Sequence, residues 1–390
     1  MISENTFDNT QVAFALKSDS ELERAYFLFK MISKEPLVRI GTAATNFALK
    51  ANLPIEGLIR ATVFDHFCGG VTEVDCIPAI DKMYSKGVSS VLDYSVEGKE
   101  TEAFFDDATQ KILDIIHFAD EKEAIPIVVF KPTGFGRFAL FQKIGEKQEL
   151  ASEEQEEWSR IVNRFDQVCK LAKEKKVEVL IDGEESWMQD AADKLVEQMM
   201  ERYNKDAIVV YNTLQTYRWD RLEFLKASHN RAEEKGFKMG FKIVRGAYME
   251  KERTRASEKG YKSPICETKQ DTDDNFNACL EYILNNLNTI SIFVGTHNEE
   301  STFLAMQLMK TLNIESADER VWFGQLYGMS DHISYNLSDL GYNVAKYLPF
   351  GPVKDVMPYL IRRAEENTSV AGQTGRELAL IKKERKRRKA

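Results

Sequence analysis

The sequence predicts an α/β fold in which a parallel sheet closes into an eight-stranded (βα)8 barrel. Three observations lead there. From about residue 88, short apolar runs rich in β-branched residues alternate with helix-forming stretches, and eight such runs occur, over 88–94, 125–131, 177–183, 207–213, 239–245, 290–296, 321–326 and 342–348. Strands that read as continuous apolar runs are buried on both faces, which the alternating helices of a parallel sheet provide. Finally, polar or charged residues close nearly every run, as they do where the site of a closed barrel is built. An open doubly wound sheet is the alternative. No G-x-G-x-x-G follows any run, which removes that fold's usual dinucleotide signature, and Gly134 with Gly136 in KPTGFGRF is a lone G-x-G.

Ahead of the barrel, residues 1–80 read as a helical arm. The stretch 21–32 places Leu22, Ala25, Tyr26, Leu28 and Phe29 at helical spacing and stops before Pro36. A second amphipathic candidate covers 38–51, and Pro54 starts a third. HFCGGVTEVDC (66–76) is loop-like, and His66 on its own is more often a satisfied structural histidine than a ligand. The first residues, MISENTFDNTQVAF, contain acids and lack a charged-then-apolar pattern, so no presequence is visible and a cytoplasmic location is expected.

Composition sets outer bounds. With 390 residues, 43% hydrophobic and 29% charged, the chain can bury a large core. A net charge of -9 argues against a general nucleic-acid binder. No apolar run reaches the ~18 residues a membrane span needs. Cys68, Cys76, Cys169, Cys266 and Cys279 form no CxxC pair, so they read as free thiols, and no metal site is expected.

The strand ends offer Asp93, Lys131, Asp182, Thr213 with Gln215, Lys242 with Arg245, Thr296-His297-Asn298, Gln325-Leu326 and Tyr347. One polar residue closing a strand is ordinary loop composition. Lysines inside otherwise apolar strands (VVFK, FKIVR) are different, because a buried ammonium is costly unless paired. Something anionic belongs in the middle. A Schiff-base aldolase using Lys131 or Lys242 satisfies that requirement too, as does a barrel that binds an anion without chemistry.

The C-terminal stretch YLPFGPVKDVMPYLIRRAEEN (347–367) reads as a turn, Pro349-Phe350-Gly351-Pro352, then a helix capped by Asp355 with Pro358 in its first turn. Tyr359, Arg362, Arg363 and Glu366 share one face, while Met357, Leu360, Ile361 and Ala364 share another. The polar face is either a solvated surface with an Arg362–Glu366 pair or a clamp for a small carboxylate, with Glu366 holding Arg362. The last ten residues, IKKERKRRKA, carry seven Lys or Arg and read as a solvated, disordered tail. Contact with an anionic membrane surface is their functional alternative.

YLPFG, seven residues, then YLIRRAEEN resembles the C-terminal signature of the proline dehydrogenase family, with Tyr347 and Tyr359 spaced as that signature requires. IVVFKP, VLIDGEES, QTY, FKIVRGAYMEKERTRA, THNEES and FGQLYGM extend the resemblance over about 7–370. It implies a distorted TIM-like (βα)8 barrel over 81–370 with a C-terminal substrate-binding helix, followed by a basic tail over 371–390. It also implies FAD as cofactor and L-proline as substrate, oxidised to pyrroline-5-carboxylate by hydride transfer from C5 to flavin N5. A quinone acceptor, at a membrane surface, would reoxidise the flavin.

By the same resemblance Lys131, Asp182, Leu326, Tyr347, Tyr359, Arg362 and Arg363 bind substrate, with Glu366 behind Arg362. Gln215, Lys242, Arg245, Gly246, Ala247, Tyr248, Thr296, His297 and Asn298 hold the flavin. Lys242 stands where the large bifunctional relatives usually have Arg, which places the chain nearer the stand-alone type. Tyr347 favours proline over hydroxyproline, by ~10²-fold at most for one hydroxyl against an apolar wall.

Overall fold

The computed structural model describes residues 5–51, 56–96, 100–369 and 373–389. Eight strands form a closed parallel barrel in the order β1 to β8: β1 (Val88–Tyr94), β2 (Ile127–Phe130), β3 (Glu178–Ile181), β4 (Val210–Gln215), β5 (Met239–Val244), β6 (Ile290–Gly295), β7 (Val321–Leu326) and β8 (Val344–Phe350). Among the described residues before them, two longer helices, α1 (Asp19–Ile32) and α2 (Glu35–Lys50), are flanked by shorter helical segments that include Arg60–Phe64, Asp65–Phe67 and Ile77–Tyr84. A long helix then follows each strand in turn: α3 (Glu102–Asp120), α4 (Ser152–Lys175), α5 (Ser186–Tyr203), α6 (Arg221–Lys235), α7 (Lys269–Leu284), α8 (Glu299–Thr311), α9 (Asp331–Asp339) and α10 (Val353–Ser369). The chain closes with α11 (Gln373–Lys389). The (βα)8 reading is therefore what the chain adopts.

The chain forms two compact units, residues 98–323 and residues 1–97 together with 324–390. In the first, β2 to β6 pair in parallel, and Lys242 stands beside Thr213 on one side and Phe293 on the other. In the second, β1 and β8 pair from Val88 with Val344 to Tyr94 with Phe350. Its apolar core joins Leu28, Ile32, Phe64, Phe67, Met329, Val356, Met357 and Leu360. α1 opens with a capping box: the Ser18 hydroxyl accepts from the Glu21 amide at 3.2 Å, and the Glu21 carboxylate accepts from the Ser18 amide at 2.7 Å.

Where strand bounds differ from the sequence reading, side chains account for it. β4 starts three residues late because Asn204 accepts from the Val209 and Val210 amides, both at 3.0 Å, and pins that segment as a loop. Gln215 consequently ends the strand instead of lying beyond it. β8 runs through Pro349 to Phe350, so the expected turn at 349–352 shrinks to Gly351-Pro352. The Pro349 carbonyl still accepts from the Gly69 amide at 2.8 Å, and the chain swings at Gly351, whose φ of +147° suits glycine.

α10 also starts earlier than expected. The Pro352 carbonyl accepts from the Asp355 and Val356 amides at 2.9 and 3.1 Å, so Asp355 lies in the first turn without capping it. Pro358 then sits inside the helix, on its exposed side, where it removes one ladder donor.

The largest departure is the basic C-terminus, which is a helix packed on the N-terminal one and not a disordered tail. Leu380 and Ile381 are buried among Ala13, Phe14, Leu22, Ala25 and Phe29. Arg385 bonds the Glu23 carboxylate with both arms at 2.6 and 2.7 Å. Arg388 reaches the Phe14 carbonyl and Asp19, each at 2.8 Å. Arginines that find carboxylates and carbonyls, beside two aliphatic anchors, overcome the like-charge repulsion that composition alone suggests. Ile381→Ala is expected to cost about 2–4 kcal/mol, whereas Lys382→Ala on the exposed side should leave stability within ~0.5 kcal/mol of wild type. Paired thermal melts check this, and equal melts would return the segment to a mere tail.

Candidate active site

In the unit spanning 98–323, the ends of β2 to β6 gather most of the residues singled out in the sequence. Lys131 follows β2 directly and leads into a short 3-10 turn, Pro132–Gly134. Asp182 follows β3, its amide donating to the Phe130 carbonyl at 3.0 Å. Its carboxylate forms an ion pair with the Lys242 ammonium, which projects from β5 with 5% of its surface exposed. The sequence reading kept these two apart, one on the substrate side and one on the flavin side. The fold joins them, because a buried ammonium between apolar strands needs a carboxylate.

Arg245, one residue past β5, is shared among three partners. Its Nε donates to Asp273 at 2.7 Å, Nη1 to the Thr296 hydroxyl at 2.8 Å and Nη2 to the Ser301 hydroxyl at 3.0 Å. Arg245 and Thr296 thus belong to one network. Thr296 also accepts from the Asn298 amide at 3.1 Å. Asn298 caps α8, its side-chain oxygen accepting from the Ser301 amide at 2.8 Å. His297 lies between them, half-buried.

The backbone at Gly246-Ala247 is exposed, with Tyr248 half-buried at the start of the helix Met249–Lys259. Gly246 has φ +124°, and an added Cβ would stand 2.5 Å from the Tyr217 ring, so only glycine fits. The Tyr217 hydroxyl is buried and has no hydrogen-bond partner. Bare, open backbone against an aromatic ring, just past the strand that carries the buried Lys242 and pairs with the buried Gln215, fits a flat cofactor such as a flavin.

In the other unit, Leu326 ends β7 and is partly buried against the apolar core, and Tyr347 lies in β8 with 9% exposed. The Tyr327 amide donates to the Tyr347 carbonyl at 2.8 Å. On α10, Arg363 is 9% exposed and its guanidinium lies 5.2 Å from the centre of the Tyr359 ring. Arg362 is half-buried. The expected division into a packing face and a polar face does not hold: Tyr359, at 6% exposed, belongs to the same apolar cluster as Met357 and Leu360. Leu28, Phe64 and Phe67 from the segment before β1 pack in that same cluster. The side chain of Glu366 lies outside the described residues.

Sequence reasoning passed over Glu184, although it stands in the quoted DGEES string. Its carboxylate accepts from the Thr133 hydroxyl at 2.7 Å and the Thr133 amide at 3.0 Å, clamping the turn that follows Lys131. Only the fold brings residues 133 and 184 together. His66 bears out its structural reading, donating to the Gly328 carbonyl at 3.0 Å in the second unit. All five cysteines are free and buried. Among the described residues no group of three or more His, Cys, Asp or Glu could hold a metal ion.

Burial pushes the Glu184 carboxyl up from 4.5 to about 7, against the opposing pull of Thr133 and Lys131. The folded protein therefore binds a proton here that the unfolded chain releases. Stability from this group is greatest below pH 4.5 and declines as pH rises toward 7. Glu184→Gln should flatten that decline, giving thermal melts that gain on wild type as pH goes from 4.5 to 7. A parallel pH profile for variant and wild type would contradict the assignment.

Comparison with known proteins bears on the chain as a whole. A family model described as proline dehydrogenase matches residues 76–376. A relative from Pectobacterium carotovorum subsp. carotovorum, carbapenem antibiotics biosynthesis protein CarD, is 37% identical over 85% of this chain and 86% of its own length. Proline dehydrogenase 2, mitochondrial, of Arabidopsis thaliana is 31% identical over 96% of this chain and 89% of its own. Among solved structures, proline utilization A (PutA) from Bdellovibrio bacteriovorus, inactivated by N-propargylglycine, superposes with a TM-score of 0.70 at 22% identity. That likeness covers 94% of this chain, which spans 37% of the longer protein, and concerns the fold. The chain belongs to the proline dehydrogenase family.

Proposed function

We propose that this chain oxidises L-proline to pyrroline-5-carboxylate with FAD as cofactor. The observation that carries the substrate assignment is Arg363, a guanidinium held nine-tenths buried beside the Tyr359 ring on the helix bearing the YLIRRAEEN signature. Guanidinium groups bind carboxylates through paired N–H donors and stay charged at any working pH, so Arg362 and Arg363 take the proline carboxylate. Leu326 and Tyr347 border the ring. Lys131 and Asp182 keep the substrate-side roles that the resemblance implies.

When bound, FAD supplies the acceptor for the hydride that leaves proline C5. Gln215, the exposed backbone of Gly246-Ala247, Tyr248 and the Thr296-His297-Asn298 corner are the residues that would hold it. With Glu299 and Glu300 already in the first turn of α8, that corner suits hydroxyl groups of the ribityl chain better than a pyrophosphate. Lys242 would supply positive charge to stabilise the negative charge a bound flavin gains on reduction, with Asp182 keeping that ammonium oriented. The proline amine must lose its proton before hydride can leave, since a protonated amine has no electron pair to form the imine. Asp182 is engaged by Lys242, which favours water as the acceptor of that proton.

Re-oxidation by a quinone fits an enzyme working at a membrane surface, from a cytoplasmic location. Among the described residues no helix is long and apolar enough to cross a membrane. Lys382, Lys386 and Lys389 line one surface of α11 with Arg385, a charge pattern worth about 1 kcal/mol per basic residue at an anionic bilayer. Replacing the three lysines with Glu should abolish sedimentation with anionic liposomes while leaving proline oxidation in solution unchanged. Sedimentation that survives would remove the membrane role.

The substrate reading is tested by an anaerobic visible spectrum before and after L-proline, with hydroxyproline as comparison. Flavin absorbance bleached preferentially by proline is expected. Preference for hydroxyproline would move the assignment to that substrate, and a purified protein that takes up no flavin would overturn the cofactor. Arg363→Met should raise KM for proline by about ten- to a hundredfold while flavin stays bound. Loss of flavin in that variant would place Arg363 on the wrong ligand.

A further inference from the structure

Lys346 is the residue before Tyr347 in β8, and strand alternation points the two side chains to opposite faces. Its side chain is 1% exposed. The ammonium lies 2.8 Å from Asp331 Oδ1, 2.7 Å from the Met329 carbonyl and 3.5 Å from the Leu326 carbonyl. The three acceptors lie on the last residue of β7, Leu326, and on the segment that leaves it. The Tyr327 amide ties the same segment to Tyr347 through the backbone at 2.8 Å. One ammonium therefore fixes the spacing between the two residues assigned to the proline ring.

We propose that Lys346, with Asp331, is a positioning residue for the substrate ring, setting where Leu326 stands relative to Tyr347. The proposal rests on the proline reading above. Two features of the segment support it. Ser330, just before Asp331, is held at φ +51°, a left-handed conformation that a non-glycine residue adopts only under constraint. Asp331 opens α9, where the helix terminus favours a negative charge.

Stability gives a weak reason for such a pair. A buried ion pair exchanged for well-packed apolar side chains often costs nothing. Its directed hydrogen bonds, however, fix a loop's path in a way that apolar contact does not. Lys17 holds the other oxygen of Asp331 at 2.9 Å from the half-buried end of the N-terminal arm. It does not touch the segment's carbonyls, which makes it the natural control.

The test compares ligands with and without a ring. Lys346→Met removes the pair while Lys17 still holds Asp331, and the double variant Lys346→Met/Asp331→Leu removes the carboxylate as well; Lys17→Gln leaves the pair in place. L-proline oxidation gives KM and kcat, with cyclopentanecarboxylate and acetate as competitive inhibitors. Both pair variants should raise the proline KM and the cyclopentanecarboxylate Ki together by about tenfold, with kcat and the acetate Ki within about twofold of wild type. Lys17→Gln should match wild type throughout. An equal rise for acetate would mean general loss of structure, and no rise for either inhibitor would mean no positioning role; each overturns the proposal. Should the single variant fail to fold, the double variant decides. A wild-type enzyme that does not oxidise proline would instead sink the function reading, and this assignment with it.

Discussion

A parallel barrel buries its strands on both faces, so any charge placed inside must be matched by an opposite one nearby. That constraint governs the arrangement around the two buried barrel lysines and the half-buried Arg245. Lys242 is answered by Asp182, Lys346 by Asp331 and Arg245 by Asp273. In each case the cation lies in a strand or just past its end; Asp182 and Asp331 come from the connections after β3 and β7, and Asp273 from the connection that Arg245 itself opens. The pairs therefore do more than neutralise charge. The two lysine pairs each tie one strand to the segment following another, while the Arg245 pair braces a single connection.

Much of this was legible in the sequence. The eight strands were visible because continuous apolar runs and intervening helices are local properties of the chain. Lysines inside such runs signalled that carboxylates had to be near. Which carboxylates was not legible: Lys242 and Asp182 are sixty residues apart, and Glu184 meets Thr133 only across neighbouring strand ends. The bounds of β4 and α10 shifted for similar reasons, through the Asn204 side chain and the Pro352 carbonyl, partners that no periodicity encodes. Tyr359 misled because helical spacing tells which residues share a face but not how many faces are covered.

The basic C-terminus misled for a different reason. Seven positive charges in ten residues suggest solvation when counted alone. Glu384 answers Arg387 and Arg388 within the segment, but the partners that dock it, Glu23, Asp19 and the Phe14 carbonyl, lie at the opposite end of the sequence. Composition near one terminus carries no information about acids near the other. The two aliphatic residues Leu380 and Ile381 were the available signal, and a single pair is too sparse for a periodic pattern to register.

The packing of α11 against α1 has a consequence for how the chain is made. Residues 98–323 are contiguous and can assemble as they leave the ribosome. The other unit draws on both ends of the sequence and cannot be completed until the last helix emerges. Through that interval, on the order of tens of seconds at ordinary rates of synthesis, Leu22, Ala25 and Phe29 wait without Leu380 and Ile381 to cover them. The nascent N-terminal helix thus exposes an apolar stripe through most of translation, a surface that a chaperone binding amphipathic helices can recognise.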